Sequence, residues 1–226
     1  MRQIPLDLVH PAGTSRDHLV VSTANADAAA LIDRWPDWPA PVVVLAGPAG
    51  SGKSHLGAIW QELASASTVA ADCIGSEAAR AAEVGPVFVD DADRPNLDEA
   101  GLFHLLNAAR SAGTQVLLSA RRFPNAWGVE LPDLASRLKA ATTVEIGEPD
   151  DILLAGVITK LFADRQVEVE PHVVQYLVRR IERSLSAAIR VVDLLDRTAM
   201  EQKSRITRML ANEVVAALDE GQEELF

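Results

Sequence analysis

The sequence predicts an α/β fold: a five-stranded parallel sheet with helices on both faces, followed by a small all-α domain. Three observations lead there. Five short apolar or β-branched runs alternate with helical patterns between residues 42 and 146, the order that builds right-handed crossovers. A complete Gly-rich phosphate-loop motif lies between the first of these strands and a helix, its proper setting. Beyond Pro149 only helical spacing remains, with Ile181, Leu185, Ile189, Val192, Leu195 and Ala199 recurring at steps of three and four.

Each element has its own reason. Residues 1–17 show neither period and carry Pro5, Pro11 and Gly13, so they predict an extended tail. A helix is expected from about Asn25 to Arg34, ended by "RWPDWPAP", where proline cannot continue the hydrogen-bond ladder. Trp35 and Trp38 within that run are expected to pin the helix to the core rather than to bind a ligand. "VVVLA" (Val42 to Ala46) predicts a buried strand, "SHLGAIWQELA" a helix, "STVAA" a weak strand and "PVFVDD" a strong one. "NLDEAGLFHLLNAARSAG" is an amphipathic helix stopped at Gly113, and "TQVLLS" and "TTVEI" complete the strands. In the second part, Pro171 suits a helix first turn. The expected organisation is a tail at 1–17, an α/β domain at 18–149, a helical domain at 150–220 and a frayed acidic end at 221–226.

At 226 residues with 48% hydrophobic content, the chain can bury a proper core. Its single cysteine, Cys73, forms no internal disulfide and fits a reducing compartment, so a cytoplasmic location is expected. No apolar run approaches the roughly 20 residues that a membrane span needs, and Pro5 and Asp7 interrupt the N-terminus where a signal peptide would be apolar. No membrane partner is expected. The formal charge of −11 opposes direct attraction to phosphate backbones. If the protein works on DNA, another protein holds it there.

The strongest chemical signal is "GPAGSGKS", formed by Gly47, Pro48, Ala49, Gly50, Ser51, Gly52, Lys53 and Ser54. The glycines let backbone N–H groups curl around phosphate oxygens, Lys53 reaches the terminal phosphates and Ser54 offers a hydroxyl to Mg²⁺. His55, the next residue, joins the nucleotide-binding set. The cofactors implied are ADP or ATP with Mg²⁺. In "VFVDD", Asp90 ends a strand where a carboxylate holds the metal, and Asp91 is placed to orient or deprotonate an attacking water. His10, His18, His55, His104 and His172 have no metal-site spacing, and the basic run "RRIER" is read as a solvated face.

Together, "GPAGSGKSHL", "VFVDDAD", "LLSARRFPNAW" and "LPDLASRLKAATTVEI" resemble the AAA+ module of the DnaA clade of replication proteins, and more closely its shorter Hda branch. The likeness runs from about Asp17 to Leu210 and is most specific in "LPDLASRL" with "LLDR". It implies an AAA+ core with a helical lid. It also implies a protein that, bound to ADP on a DNA-loaded sliding clamp of DNA polymerase III, stimulates hydrolysis of DnaA-bound ATP and so prevents re-initiation. By the same resemblance, Ser136–Arg137 corresponds to an arginine finger and Ser119 to a first sensor region. Where the family has a lid sensor arginine this chain has Ser186, with Arg183 and Arg190 about one turn either side. A protein without that sensor is expected to hold ADP. Only "CIGSEAARAAEVG" separates Cys73 from Pro86, too little for DnaA's additional DNA-lining helices, and the chain stops where DnaA continues into a duplex-binding domain. Contact with DNA is therefore expected only through the clamp.

"QIPLDL", with Gln3, Ile4, Pro5, Leu6, Asp7 and Leu8, resembles the family's clamp-binding tail. A pocket that accepts a Gln amide and buries paired apolar side chains suits it, and Pro5 lowers the ordering cost. "QEELF" (Gln222 to Phe226) carries Gln, Leu and an aromatic in similar order, as a second clamp candidate or simply a frayed end. Two alternatives stay open at this point. One is an autonomous AAA+ ATPase that loads or remodels a replication protein, which needs Asp91. The other is a clamp-tethered adaptor that needs neither Asp91 nor Arg137. AAA+ modules commonly pair through nucleotide-proximal faces, so a homodimer hiding Arg137 is a further arrangement open to the chain.

Overall fold

The computed structural model describes residues 16–223. Nine helices and five strands are defined among them: α1 (Ala26–Asp33), β1 (Val42–Ala46), α2 (Lys53–Ala64), β2 (Ser67–Ala70), α3 (Ser76–Val84), β3 (Val87–Asp90), α4 (Glu99–Ala112), β4 (Val116–Ala120), α5 (Pro132–Lys139), β5 (Thr142–Glu145), α6 (Asp151–Asp164), α7 (Pro171–Val178), α8 (Leu185–Gln202) and α9 (Arg208–Glu223). The strands form one parallel sheet in the order β2-β3-β4-β1-β5. This is the expected α/β architecture.

The period of two along β1 explains the layers. Val42 and Val44 join the core built by α3, α4 and α5, with Ala78, Leu102, Leu105, Leu134 and Leu138. Val43 and Leu45 join the opposite core with Ala28, Ile32, Ile59 and Trp60 of α1 and α2. β1 and β4 are buried at every position, as central strands covered on both faces must be. Trp38 stacks on Trp60 with centroids 5.0 Å apart and donates its indole N–H to the Leu31 carbonyl at 2.8 Å. Trp35 also packs against that core, so both tryptophans anchor α1.

Helices α3 and α5 were not among those expected before Pro149. The segment after Cys73 holds α3, a nine-residue helix whose Ala78 and Ala82 pack on the sheet side while Glu77 and Glu83 are exposed. Four residues apart, these alanines form a narrow apolar stripe that an Ala-rich segment hides in a sequence. No further helix separates β2 from β3.

β5 ends at Glu145 and α6 begins at Asp151, on either side of Pro149. Helices α6 to α9 bury their own core, with Leu154, Phe162, Leu177, Val192, Leu195 and Leu210 inside. α9 continues through Glu223, past the expected lid limit at residue 220. At the other end, Arg16 lies within the expected tail yet makes a two-bond ion pair with Asp33 at 2.6 and 2.7 Å. No helix among the described residues is long and apolar enough to cross a membrane.

Candidate nucleotide-binding site

β1 delivers the chain into the loop at Gly47, whose amide donates to the Ala120 carbonyl of β4 at 3.1 Å. The loop therefore starts tied to the end of the neighbouring strand. Gly50 and Gly52 hold φ values of 72° and 99°, a left-handed conformation that side chains disfavour. α2 starts immediately afterwards, and its first turn opens onto a cavity of about 290 Å³ lined by Gly50, Ser51, Gly52, Lys53, Ser54 and His55. A helix N-terminus with a glycine loop presents its unpaired amides to an anion.

Lys53 is 6% exposed, and its Nζ donates to the carbonyls of Gly47 at 2.8 Å and Pro48 at 2.7 Å. Burial pushes its pKa below the ordinary lysine value; Asp91 opposes the shift and Arg121 adds to it. No carboxylate pairs directly with this ammonium among the described residues. The Ser51 hydroxyl is buried without a hydrogen-bond partner. A buried cation on backbone dipoles and an orphaned hydroxyl in one loop suit a phosphate group, which supplies counter-charge and acceptors to both.

The carboxylate side of the cavity is assembled from three elements. Ser54 of α2 donates to Asp90 Oδ1 of β3 at 3.1 Å, and Ser119 of β4 donates to the same oxygen. Ser119 is fully buried and its Oγ also accepts the Asp91 amide at 2.8 Å. Pairing of β3 with β4 brings the Ser119 hydroxyl to the Asp90 carboxylate, and α2 brings that of Ser54. The oxygen set of Ser54 and Asp90 matches a hard divalent cation such as Mg²⁺. Asp91 holds a positive φ of 54°, and its carboxylate pairs with Arg94 at 3.4 Å.

The lid closes the other side. Leu185, Ser186 and Ile189 of α8 line the cavity, as do Leu153, Val157 and Lys160 of α6. Leu19 and Val20 complete an apolar wall, the surface a purine ring prefers. Of the lid sensor candidates only Ser186 faces the cavity. Arg183 is held outside by Asp151 at 2.8 Å and the Pro149 carbonyl at 3.4 Å, and Arg190 lines a separate small pocket beside Val215 and Leu218. Lys160 and Asp164, an ion pair one helical turn apart, also line the cavity. Sequence alone did not single them out, because such pairs are ordinary on solvated helix faces.

Arg137 lies in α5 and is not among these cavity-lining residues. Leu134 and Leu138 bury one face of that helix, while Arg137 is half-buried with no ion pair among the described residues and Ser136 is exposed. The loop leading into α5 is fixed by Glu99, whose carboxylate accepts the Glu130 amide at 2.9 Å and the Leu131 amide at 2.7 Å. Pro48 contributes its carbonyl to Lys53, and Ala49 sits between it and Gly50. Gln3 to Leu8 and the last three residues of "QEELF" lie outside the described residues.

With this geometry defined, comparison with known proteins adds the following. Residues 157–214 match the family described as "Hda, lid domain". Domain III of the replication initiation protein DnaA of Thermotoga maritima superposes with a TM-score of 0.78 at 14% identity, covering 90% of this chain and 96% of that one. A structure of replication initiator DnaA bound to AMPPCP and single-stranded DNA gives 0.70 at 16% identity, over 87% of this chain and 70% of that one. The Holliday junction branch migration motor RuvB of Thermotoga maritima gives 0.73 at 17% identity, over 92% and 72%. An uncharacterized protein of Haemophilus influenzae is 27% identical over 110 residues, 48% of each chain. The match thus spans about half the length of that curated relative. The chain shares its fold with these structures, and residues 157–214 of the helical domain resemble the Hda lid.

Proposed function

We propose that this chain, whose residues 157–214 match the Hda lid family and whose fold is shared with domain III of DnaA, is a cytoplasmic, nucleotide-bound AAA+ regulator of chromosomal replication initiation that docks on the sliding clamp and stimulates hydrolysis of DnaA-bound ATP. The observation that carries this reading is the Hda-type lid on a DnaA-like module. Lys53 and the loop amides hold the phosphates of ADP or ATP, and Ser54 with Asp90 holds Mg²⁺. Ser186 brings no cation to the lid position, which favours ADP as the resting ligand.

Arg137 acts on the partner's nucleotide. A guanidinium without an internal carboxylate is available to a neighbour, and a finger supplied in trans is worth about 10³ to 10⁵ in rate in other nucleotide hydrolases. Leu138 and Glu99 support the helix that presents it. The Gln3–Leu8 segment supplies the clamp tether, so contact with DNA is indirect. A homodimer paired through nucleotide-proximal faces would hide Arg137, and solution molar mass with and without clamp tests for it.

The decisive assay measures DnaA-bound ATP hydrolysis with this protein, ADP and clamp-loaded DNA. Arg137→Ala and Gln3→Ala are each expected to lose the stimulation. No stimulation by the unmutated protein would refute the reading and direct attention to its own ATP turnover.

A further inference from the structure

The basic run from Arg179 to Arg183 reads in the sequence as a plain solvated face, and the structure gives part of it a more definite place. Arg180, two residues beyond α7, sets its guanidinium 6.0 Å from the centroid of the Tyr176 ring, and Arg208 of α9 lies 5.3 Å from the same ring. The Tyr176 hydroxyl donates to Asn212 Oδ1 of α9 at 2.7 Å, which ties the ring to both helices. Arg180 also borders a cleft of about 60 Å³, where Arg190 of α8 lines the rim and Ile181, Val215 and Leu218 supply apolar surface. One residue thus joins the cleft to the ring, and three guanidiniums from three parts of the lid form a continuous array. All three arginines are exposed and none pairs with a carboxylate among the described residues, although the chain carries a formal charge of −11. The ring orients two of the heads without using their N–H donors.

From this arrangement we propose that the array is a docking surface for an acidic peptide segment of a partner protein, one that presents an apolar side chain between carboxylates. The apolar side chain fills the cleft beside Val215 and Leu218, and the flanking carboxylates pair with Arg180 and Arg190 in the two-bond geometry a guanidinium favours. A head already oriented on an aromatic ring loses less freedom on binding than a free one. The same features disfavour nucleic acid. Glu182, also on the cleft, repels a continuous phosphate chain, and a cleft of this size holds a short side chain but no base. The Tyr176 ring is taken up by guanidiniums instead of lying open to a stacked base. With the nucleotide cavity this surface shares no lining residue, so docking here stands apart from the proposed nucleotide site.

The test is fluorescence anisotropy of full-length protein against a labelled peptide Glu-Glu-Leu-Glu-Glu, the same peptide with Gly in place of Leu, and a short oligothymidylate. The unmutated chain is expected to bind the Leu peptide about tenfold more tightly than the Gly peptide, the effect of burying one such side chain. Arg180→Gln combined with Arg190→Gln should weaken the Leu peptide by about tenfold or more, and Arg180→Lys, which keeps the charge but not the fork, should lose less. The substituted side chains are exposed, so the thermal midpoint stays that of the unmutated chain and folding is kept out of the comparison. Equal affinity for the two peptides, no binding of either, or an affinity unchanged in the double variant overturns the proposal. Tighter binding of the oligothymidylate than of the Leu peptide also overturns it and makes the array a nucleic-acid surface.

Discussion

The backbone amide of Leu185, in the first turn of lid helix α8, donates to the carbonyl of Gly50 in the phosphate loop at 2.8 Å. Its neighbour Ser184, the N-cap of α8, is buried and crowds the Gly50 Cα so closely that an added Cβ would lie 2.1 Å from Ser184 Oγ. Lid and loop are thus registered to each other at a position only glycine fills. Whatever moves α8 is felt where phosphates bind.

Gly50→Ala is expected to weaken binding of ADP and ATP by about tenfold or more, because the methyl group both strains a left-handed residue and displaces the lid. A fall of several degrees in thermal midpoint should accompany it, given about 2–4 °C per kcal/mol for a chain of this size. Calorimetric titration and a thermal melt check the two effects. Unaltered affinity would show that lid and loop are uncoupled.

Ser119→Ala removes the donor to Asp90 and the acceptor of the Asp91 amide at a fully buried position. A loss of about 1–3 kcal/mol in urea unfolding is expected, the usual cost of orphaned buried polar groups. Nucleotide affinity should also become less dependent on Mg²⁺, since Asp90 loses the bond that orients it.

Burial of Lys53 gives a proton signature. Below its lowered folded-state pKa the ammonium is charged in both states, and the cost of burying it is fully present. As pH rises from there toward the ordinary lysine value near 10.4, the unfolded chain holds more protons than the folded one, so stability of the nucleotide-free protein rises across that window. A phosphate beside Nζ restores the charge. Nucleotide binding in the window is therefore expected to take up protons, seen as a dependence of the calorimetric heat on buffer ionisation enthalpy. The dependence should vanish in Lys53→Met if any binding survives.

Glu99→Ala frees the amides of Glu130 and Leu131 and loosens the path into α5. The residue is half-buried, so a loss of about 1 kcal/mol is expected rather than the full value of a charged acceptor. Hydrogen exchange in residues 128–139 should quicken. If Arg137 works in trans, stimulation of DnaA-bound ATP hydrolysis should fall as well, although Arg137 itself is untouched.

The sequence alone determined what depends on neighbours along the chain. The phosphate loop was legible because Gly47 to Ser54 are contiguous, and backbone conformation there follows from glycine placement. The strands were legible because parallel strands buried on both faces, such as "VVVLA", read as unbroken apolar runs. Tertiary structure decided what depends on distant segments meeting. The strand order, with β4 between β3 and β1, brings Ser119 to Asp90 and ties the Ala120 carbonyl to Gly47 at the start of the loop. Lid docking turns Ser186 into the cavity while Asp151 and the α8–α9 pocket hold Arg183 and Arg190 out. Spacing of one turn places an arginine on a helix, but the ion pair that claims a long, flexible side chain is a property of the packed molecule.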